Sequence, residues 1–246
     1  LRQAMQMLDD EIEKLERRSR AEKLASIAER LEKVLERQKA CTKQTRNTYD
    51  ARAETKPVYD RPAQQKLAEL AGIEGDLAEE VKSIRAMLNK EGTTVVFPEI
   101  LGDVRQDLSD VQKQLAENNP GPLTQVTQDE IEKTLEDLLD SVRKELSKGP
   151  GRGRPCGGGG QCKPPLIPPI AELRMLRMKQ LRVNRGTRRL DKLITAGDLP
   201  AEKSEAEYKK LAHRQEQVLK LVRQIHAKLK NQNTNINPIR ANEDSQ

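Results

Sequence analysis

Two cysteines, six bases and a handful of carboxylates are the residues of this chain whose types and spacing could do chemistry. Cys156 and Cys162 bracket "GGGGQ" as a C-x5-C pair. A structural zinc site takes about four ligands, usually offered as C-x2–4-C pairs. There is no second pair, and His213 and His226 lie thirteen residues apart, too far to sit on adjacent turns of one helical face. No metal or other cofactor is expected. A disulfide between Cys156 and Cys162 would close the glycine run into a small ring, but only in an oxidising compartment. Just upstream, Arg152, Gly153, Arg154 and Pro155 spell the core of an AT-hook. That motif works because narrow A·T minor grooves attract inserted arginines. Here Lys148 is the only close base before it, and glycines follow Cys156, so the phosphate contacts that carry affinity would be few.

Arg174, Arg177, Arg185, Arg188, Arg189 and Lys192 form a basic face that suits nucleic acid or an anionic membrane surface. The stretch has no aromatic for base stacking. A nearer partner exists in the chain itself. Residues 99–148 carry 12 acids and 6 bases, net −6, whereas residues 163–193 carry 9 bases and 2 acids, net +7. Mutual neutralisation, within a chain or between subunits, is the preferred reading. The carboxylate runs at 9–16 and 129–140 have the spacing of ordinary polar helix faces with compensating lysines. Cys41 falls on an apolar seam and reads as a small buried residue. No nucleophile, base and orienting group stand in a recognisable spacing, so the chain reads as non-enzymatic.

The elements that must position these residues are helices. Only four aromatics occur (Tyr49, Tyr59, Phe97, Tyr208), Trp is absent and 34% of residues are charged. Apolar residues nonetheless recur in steps of three and four, the signature of coiled-coil-like helices. The first helix spans about 1–53, with one stripe at Met5, Leu8, Ile12 and Leu15 and a second seam from Leu24 to Thr48. A proline-bracketed turn at 56–62 leads to a second helix carrying Leu67 to Leu88. "TTVV" (93–96) reads as a short extended segment, with a third helix starting near Pro98. Thr127 and Glu130 read as a capping box that opens the fourth helix. The fold expected is all-α: three antiparallel hairpins, elongated, with 1–90 and 98–148 joined through a Gly/Pro-rich linker at 149–169 to a basic hairpin at 170–230. A polar, disordered tail is expected at 231–246. The first and third hairpins share a layout. An offset of 142 carries Leu31, Val34, Gln38, Cys41 and Thr45 onto Leu173, Leu176, Gln180, Val183 and Thr187. An offset of 141 carries Glu74, Leu77, Val81 and Ile84 onto Gln215, Val218, Val222 and Ile225. Polar residues at seam positions fix register and partner at a cost in stability; the alternative reading is a polar layer that binds something inside the bundle.

No apolar run is long enough to span a bilayer, and no signal peptide is present. The chain starts at Leu1 and not at Met, so it reads as a fragment or a processed product.

Several segments in order resemble a family of uncharacterised exported helical proteins from bacteria: "LAELAGIEGDLAEEVKSI", "EGTTVVFPEILGDVRQDL", "TQDEIEKTLEDLLD", a Gly-rich stretch, "LIPPIAELRMLRMKQLRVNRGTRRLD" and "LAHRQEQVLKL". The resemblance covers most of residues 30–230. It implies an N-terminal signal sequence and residence outside the cytoplasm, in the periplasm or cell envelope, and it implies no activity. The function expected is a helical scaffold or adaptor that engages other proteins. Because the second helix matches only the latter half of the first, Met5, Leu8, Ile12 and Leu15 are expected to be buried by the fourth helix, the fifth helix or another chain; left uncovered, they are a candidate self-association seam. The alternative is binding of nucleic acid or an anionic surface through the basic helix and the Arg-Gly-Arg-Pro motif.

Overall fold

The computed structural model describes residues 2–51, 59–148, 165–197 and 201–234. All regular structure among them is helical: α1 (Arg2–Asp50), α2 (Arg61–Glu91), α3 (Val96–Ala116), α4 (Pro122–Ser147), α5 (Pro169–Thr195) and α6 (Ala201–Thr234). The helices divide into two units, Leu1–Gly151 and Arg152–Gln246.

Local chemistry fixes the helix ends. Asp60 caps α2 by accepting a hydrogen bond from the Ala63 amide at 3.0 Å, with Pro62 in the first turn. Gly92 ends α2 in the left-handed region at φ 71°, where a side chain is disfavoured. Asn118, at φ 57°, stops α3 in the same way.

Two local expectations are corrected. The segment 93–96 is not extended, and α3 begins at Val96. Val96, Phe97, Ile100, Leu101 and Val104 are buried together, so a helical burial period already starts at the valine and overrides its β-propensity. Nor do Thr127 and Glu130 open α4. That helix starts five residues earlier at Pro122, and the Thr127 hydroxyl donates to the Leu123 carbonyl inside it, 2.9 Å away. At the chain's far end α6 runs on to Thr234, four residues past its expected limit.

In the first unit α1 packs on α2, α2 on α3, α3 on α4 and α4 on α1, a closed ring of four. Leucines and isoleucines at the expected seam positions fill its centre, with Leu31, Leu67, Leu77, Ile84, Leu108 and Ile131 fully buried. Each such side chain contributes about 1.5–3 kcal/mol relative to exposure. The two N-terminal hairpins are therefore one body. α1 outruns it. Lys23 pairs with Glu91 at the last residue of α2, 2.7 Å apart, and beyond that point residues 2–22 project as an arm, exposed except at half-buried Arg17 and Arg20.

In the second unit α5 and α6 form an antiparallel hairpin. Leu176, Val183 and Leu190 are buried on α5, and Val218, Leu221 and Ile225 on α6. The linker cysteines, the Arg-Gly-Arg-Pro motif and the end of the tail lie outside the described residues.

Candidate functional site

Three helices of the first unit bring polar side chains to one buried level. Gln38 and Thr45 come from α1, Glu74 from α2 and Gln128 from α4, and all four are inaccessible to solvent. Glu74 Oε1 accepts two amide hydrogens, from Gln38 Nε2 at 3.0 Å and from Gln128 Nε2 at 2.7 Å. Gln128 Nε2 also donates to Thr45 Oγ1 at 3.1 Å, and Gln38 Nε2 lies 3.4 Å from Thr42 Oγ1. The threonine hydroxyls are spent on their own helix, Thr45 donating to the Cys41 carbonyl and Thr42 to the Gln38 carbonyl, each at 3.0 Å.

This accounting leaves the layer short of donors. Gln38 Oε1, Glu74 Oε2 and Gln128 Oε1 are buried without a hydrogen-bond partner. Burial pushes the Glu74 carboxyl above the ordinary carboxylate range, opposed by the amides of Gln128 and Gln38, which favour the charged form. An ionised Glu74 would be a buried charge with no counter-ion among the described residues, an arrangement costing several kcal/mol. The neutral acid fits better, because its O–H supplies a donor where only acceptors are left over. Cys41 borders the same layer. Burial, and next the proximity of Glu74, push its thiol far above the ordinary range and disfavour the reactive thiolate.

The C-terminal hairpin repeats half of this arrangement. Gln180 Nε2 donates to Gln215 Oε1 at 2.8 Å, and Gln215 Nε2 returns the bond to Gln180 Oε1 at 2.9 Å. These residues stand at the positions that the sequence offsets pair with Gln38 and Glu74. Here Gln215 is exposed and Gln180 half-buried.

The surfaces singled out from sequence are placed as follows. Met5, Leu8, Ile12 and Leu15 are 55–64% exposed on the arm. Of the basic face, Arg174, Arg177, Arg188 and Lys192 are exposed, whereas Arg185 and Arg189 are half-buried. Sequence reasoning missed Lys179 and Arg182, which are buried on α5; Lys179 Nζ donates to Gln217 Oε1 at 3.1 Å. It also missed Gln128, although that residue continues the seam of Ile131, Leu135, Leu138 and Val142 backwards by three. Cys156 and Cys162 lie outside the described residues, as does the hook motif.

Among the described residues no three His, Cys, Asp or Glu side chains gather as a metal site, and no helix is long and apolar enough to cross a membrane. No family model, curated protein or solved structure matches the chain.

Proposed function

We propose that the chain is a non-enzymatic helical scaffold or adaptor that holds other macromolecules through helix–helix contacts. One observation carries this reading. An apolar stripe at heptad spacing, Met5, Leu8, Ile12 and Leu15, is displayed on a solvated arm that the four-helix unit leaves uncovered. A lone helix of about twenty residues is marginal in water and gains its stability from packing. Contiguous exposed apolar surface of this kind marks an association site. Residence in the bacterial envelope belongs to the same proposal and rests on the family resemblance.

A photo-crosslinking amino acid placed at Leu8 or Ile12, in cells producing the chain, tests the reading. The scaffold role expects discrete crosslinked species from these positions and none from Lys33 or Glu36, on the solvated side of α1. Absence of any product from the stripe, or equal products from both sets, would sink it.

A second reading is favoured by Arg174, Arg177 and Arg188, which are exposed together on α5. Pelleting with anionic vesicles, or retention on DNA, lost above about 200 mM salt would support it.

A further inference from the structure

Set in register with the α1–α2 hairpin, the α5–α6 hairpin keeps half of its seam buried and opens the other half. Leu176, Val183, Val218 and Ile225 are buried, as are their counterparts Val34, Cys41, Leu77 and Ile84. Leu173, Leu219 and Val222 are 39%, 49% and 45% exposed, whereas their counterparts Leu31, Ala78 and Val81 are buried. In the first unit those counterparts belong to helices covered by α4 on α1 and by α3 on α2. The Gln180–Gln215 pair, with Gln180 half-buried and Gln215 exposed, stands at the positions where Gln38 and Glu74 are closed over by Gln128. The C-terminal hairpin thus carries a face shaped for a further helix.

We infer that this face receives the α1 arm of a second copy of the chain, with Met5, Leu8, Ile12 and Leu15 seated against Leu173, Leu219 and Val222. The inference rests on the scaffold reading and names its partner. Charge selects the occupant. The arm's stripe is bordered by Asp9 and Glu16 on one side and by Glu11 on the other, and Asp9 and Glu16 make no ion pair among the described residues. The open face is bordered by Arg177 and Arg188 on α5 and by Lys220 and Arg223 on α6, all exposed and all without an ion pair among the described residues. Two arms packed together would leave Asp9 and Glu16 without new cations beyond the bases that already pair along the arm, and two such hairpins would oppose arginines to arginines. An arm on a hairpin sets Asp9 and Glu16 against these arginines and lysines, while Lys14 and Arg18 of the arm stay paired with Glu11 and Glu22 on their own helix. The lengths agree as well: ten residues of arm cover about 15 Å, within the roughly 21 Å from Tyr208 to Val222. Because each copy offers both an arm and a face, the contacts close as a two-fold dimer that exchanges arms or as a larger ring, or run on into an open chain.

Sedimentation of the purified full chain tests this. The wild type is expected to gain mass with concentration, and to lose that mass when salt is raised from about 0.1 M to about 1 M, which cuts the screening length from about 10 Å to about 3 Å. Leu8→Glu with Ile12→Glu on the arm, and separately Arg177→Glu with Arg188→Glu on the hairpin, should each give monomers with unchanged helicity and melting. An equimolar mixture of the two variants should form dimers and nothing larger, because only one arm and one face remain competent. Joining the hairpin reversals to Asp9→Lys and Glu16→Lys in one chain should restore assembly. A wild type that is monomeric at every concentration overturns the inference, and so does an assembly that the hairpin variants leave intact. If the purified chain is monomeric while Leu8 still crosslinks to another protein in cells, the second-copy partner falls and the scaffold reading stands. If Leu8 crosslinks to nothing, both fall.

Discussion

Gln128 of α4 donates to Glu74 of α2 across 2.7 Å, and through that bond the fourth helix closes over a carboxyl that the first two helices already hold. The relationship makes Glu74 a buried titrating group at the centre of the first unit. The sign of its effect follows from burial. Its folded value is raised above the ordinary one near 4.3, so the folded form is neutral where the unfolded chain ionises. Its contribution to stability is fully present below about pH 4.3 and is lost as pH rises from there through the folded value, at up to about 1.4 kcal/mol per pH unit. Glu74→Gln should remove that slope and raise the melting temperature at neutral pH. The amide would also supply donors to Gln38 and Gln128, as Gln215 does for Gln180. Melting curves against pH check this, and a variant that keeps the wild-type slope would show that Glu74 is not its source.

The two polar pairs should respond differently to the same truncation. Gln38→Leu strips one of the two amide donors from a buried carboxyl and should destabilise the first unit by about 1–3 kcal/mol. Gln180→Leu frees Gln215 to water and should change stability by less than about 0.5 kcal/mol. Denaturant unfolding of the two variants reads the difference. A stabilised Gln38→Leu would mean that the layer serves register alone.

Cys41 should be silent in the folded chain. Its sulfur is buried, 3.8 Å from the Leu70 carbonyl, and its thiol is held far above the ordinary range. In a Cys156→Ser, Cys162→Ser background a maleimide should label Cys41 only as fast as the first unit opens, and promptly in denaturant. Rapid native labelling would contradict the burial.

How much of this was legible in the sequence depended on period. Heptad spacing placed the long helices and their buried leucines, because aliphatic residues at steps of three and four have one good solution in water. It also marked Gln38, Thr45 and Glu74 as polar members of seams. Gln128 stayed hidden for a specific reason. Reading Thr127 and Glu130 as a cap put Gln128 in a first turn, where its seam position has no meaning. Hydroxyl-to-carbonyl bonds within a helix, such as Thr127 to Leu123, offer the same residue types a second use that spacing does not separate from capping. Burial of Lys179 and Arg182 was equally invisible, since a long charged side chain on an amphipathic helix reads as solvated by default. Unequal helix lengths showed that the second helix does not cover the arm, but left cover by the fourth or fifth helix open; the exposure of Met5, Leu8, Ile12 and Leu15 came from the structure.

The arm and the bundle should be energetically separate. Lys23 and Glu91 mark where α2 stops covering α1, so deleting residues 1–22 removes no apolar side chain that is buried among the described residues of the first unit. Its unfolding free energy should shift by less than about 0.5 kcal/mol. Under monomeric conditions the arm's amides should exchange with deuterium much faster than those of residues 24–45. Equal protection along α1 would show that the arm is covered within a single chain.

Two helix-interior glycines should give opposite answers to alanine. Gly72 is exposed on α2, and a Cβ there would meet nothing within 4 Å. Gly72→Ala should therefore collect the helix-propensity gain unopposed, about 0.5–1 kcal/mol of added stability in the first unit. Gly186 lies where α5 meets α6, and its Cβ would stand 2.8 Å from Leu211 Cδ2. Real Cβ atoms do not come that close, so Leu211 must change rotamer or α6 must retreat. A rotamer change costs little if half-buried Leu211 has room for its terminal methyl, whereas a retreat of α6 opens a thin hairpin core at about 1–3 kcal/mol, more than the propensity returns. The second course is the one expected. Gly186→Ala should thus loosen the hairpin and raise amide exchange in α6 while leaving the first unit's melting unchanged. Unperturbed exchange in α6 would mean that Leu211 yields freely, and that the two helices touch more loosely at Gly186 than the 2.8 Å approach implies.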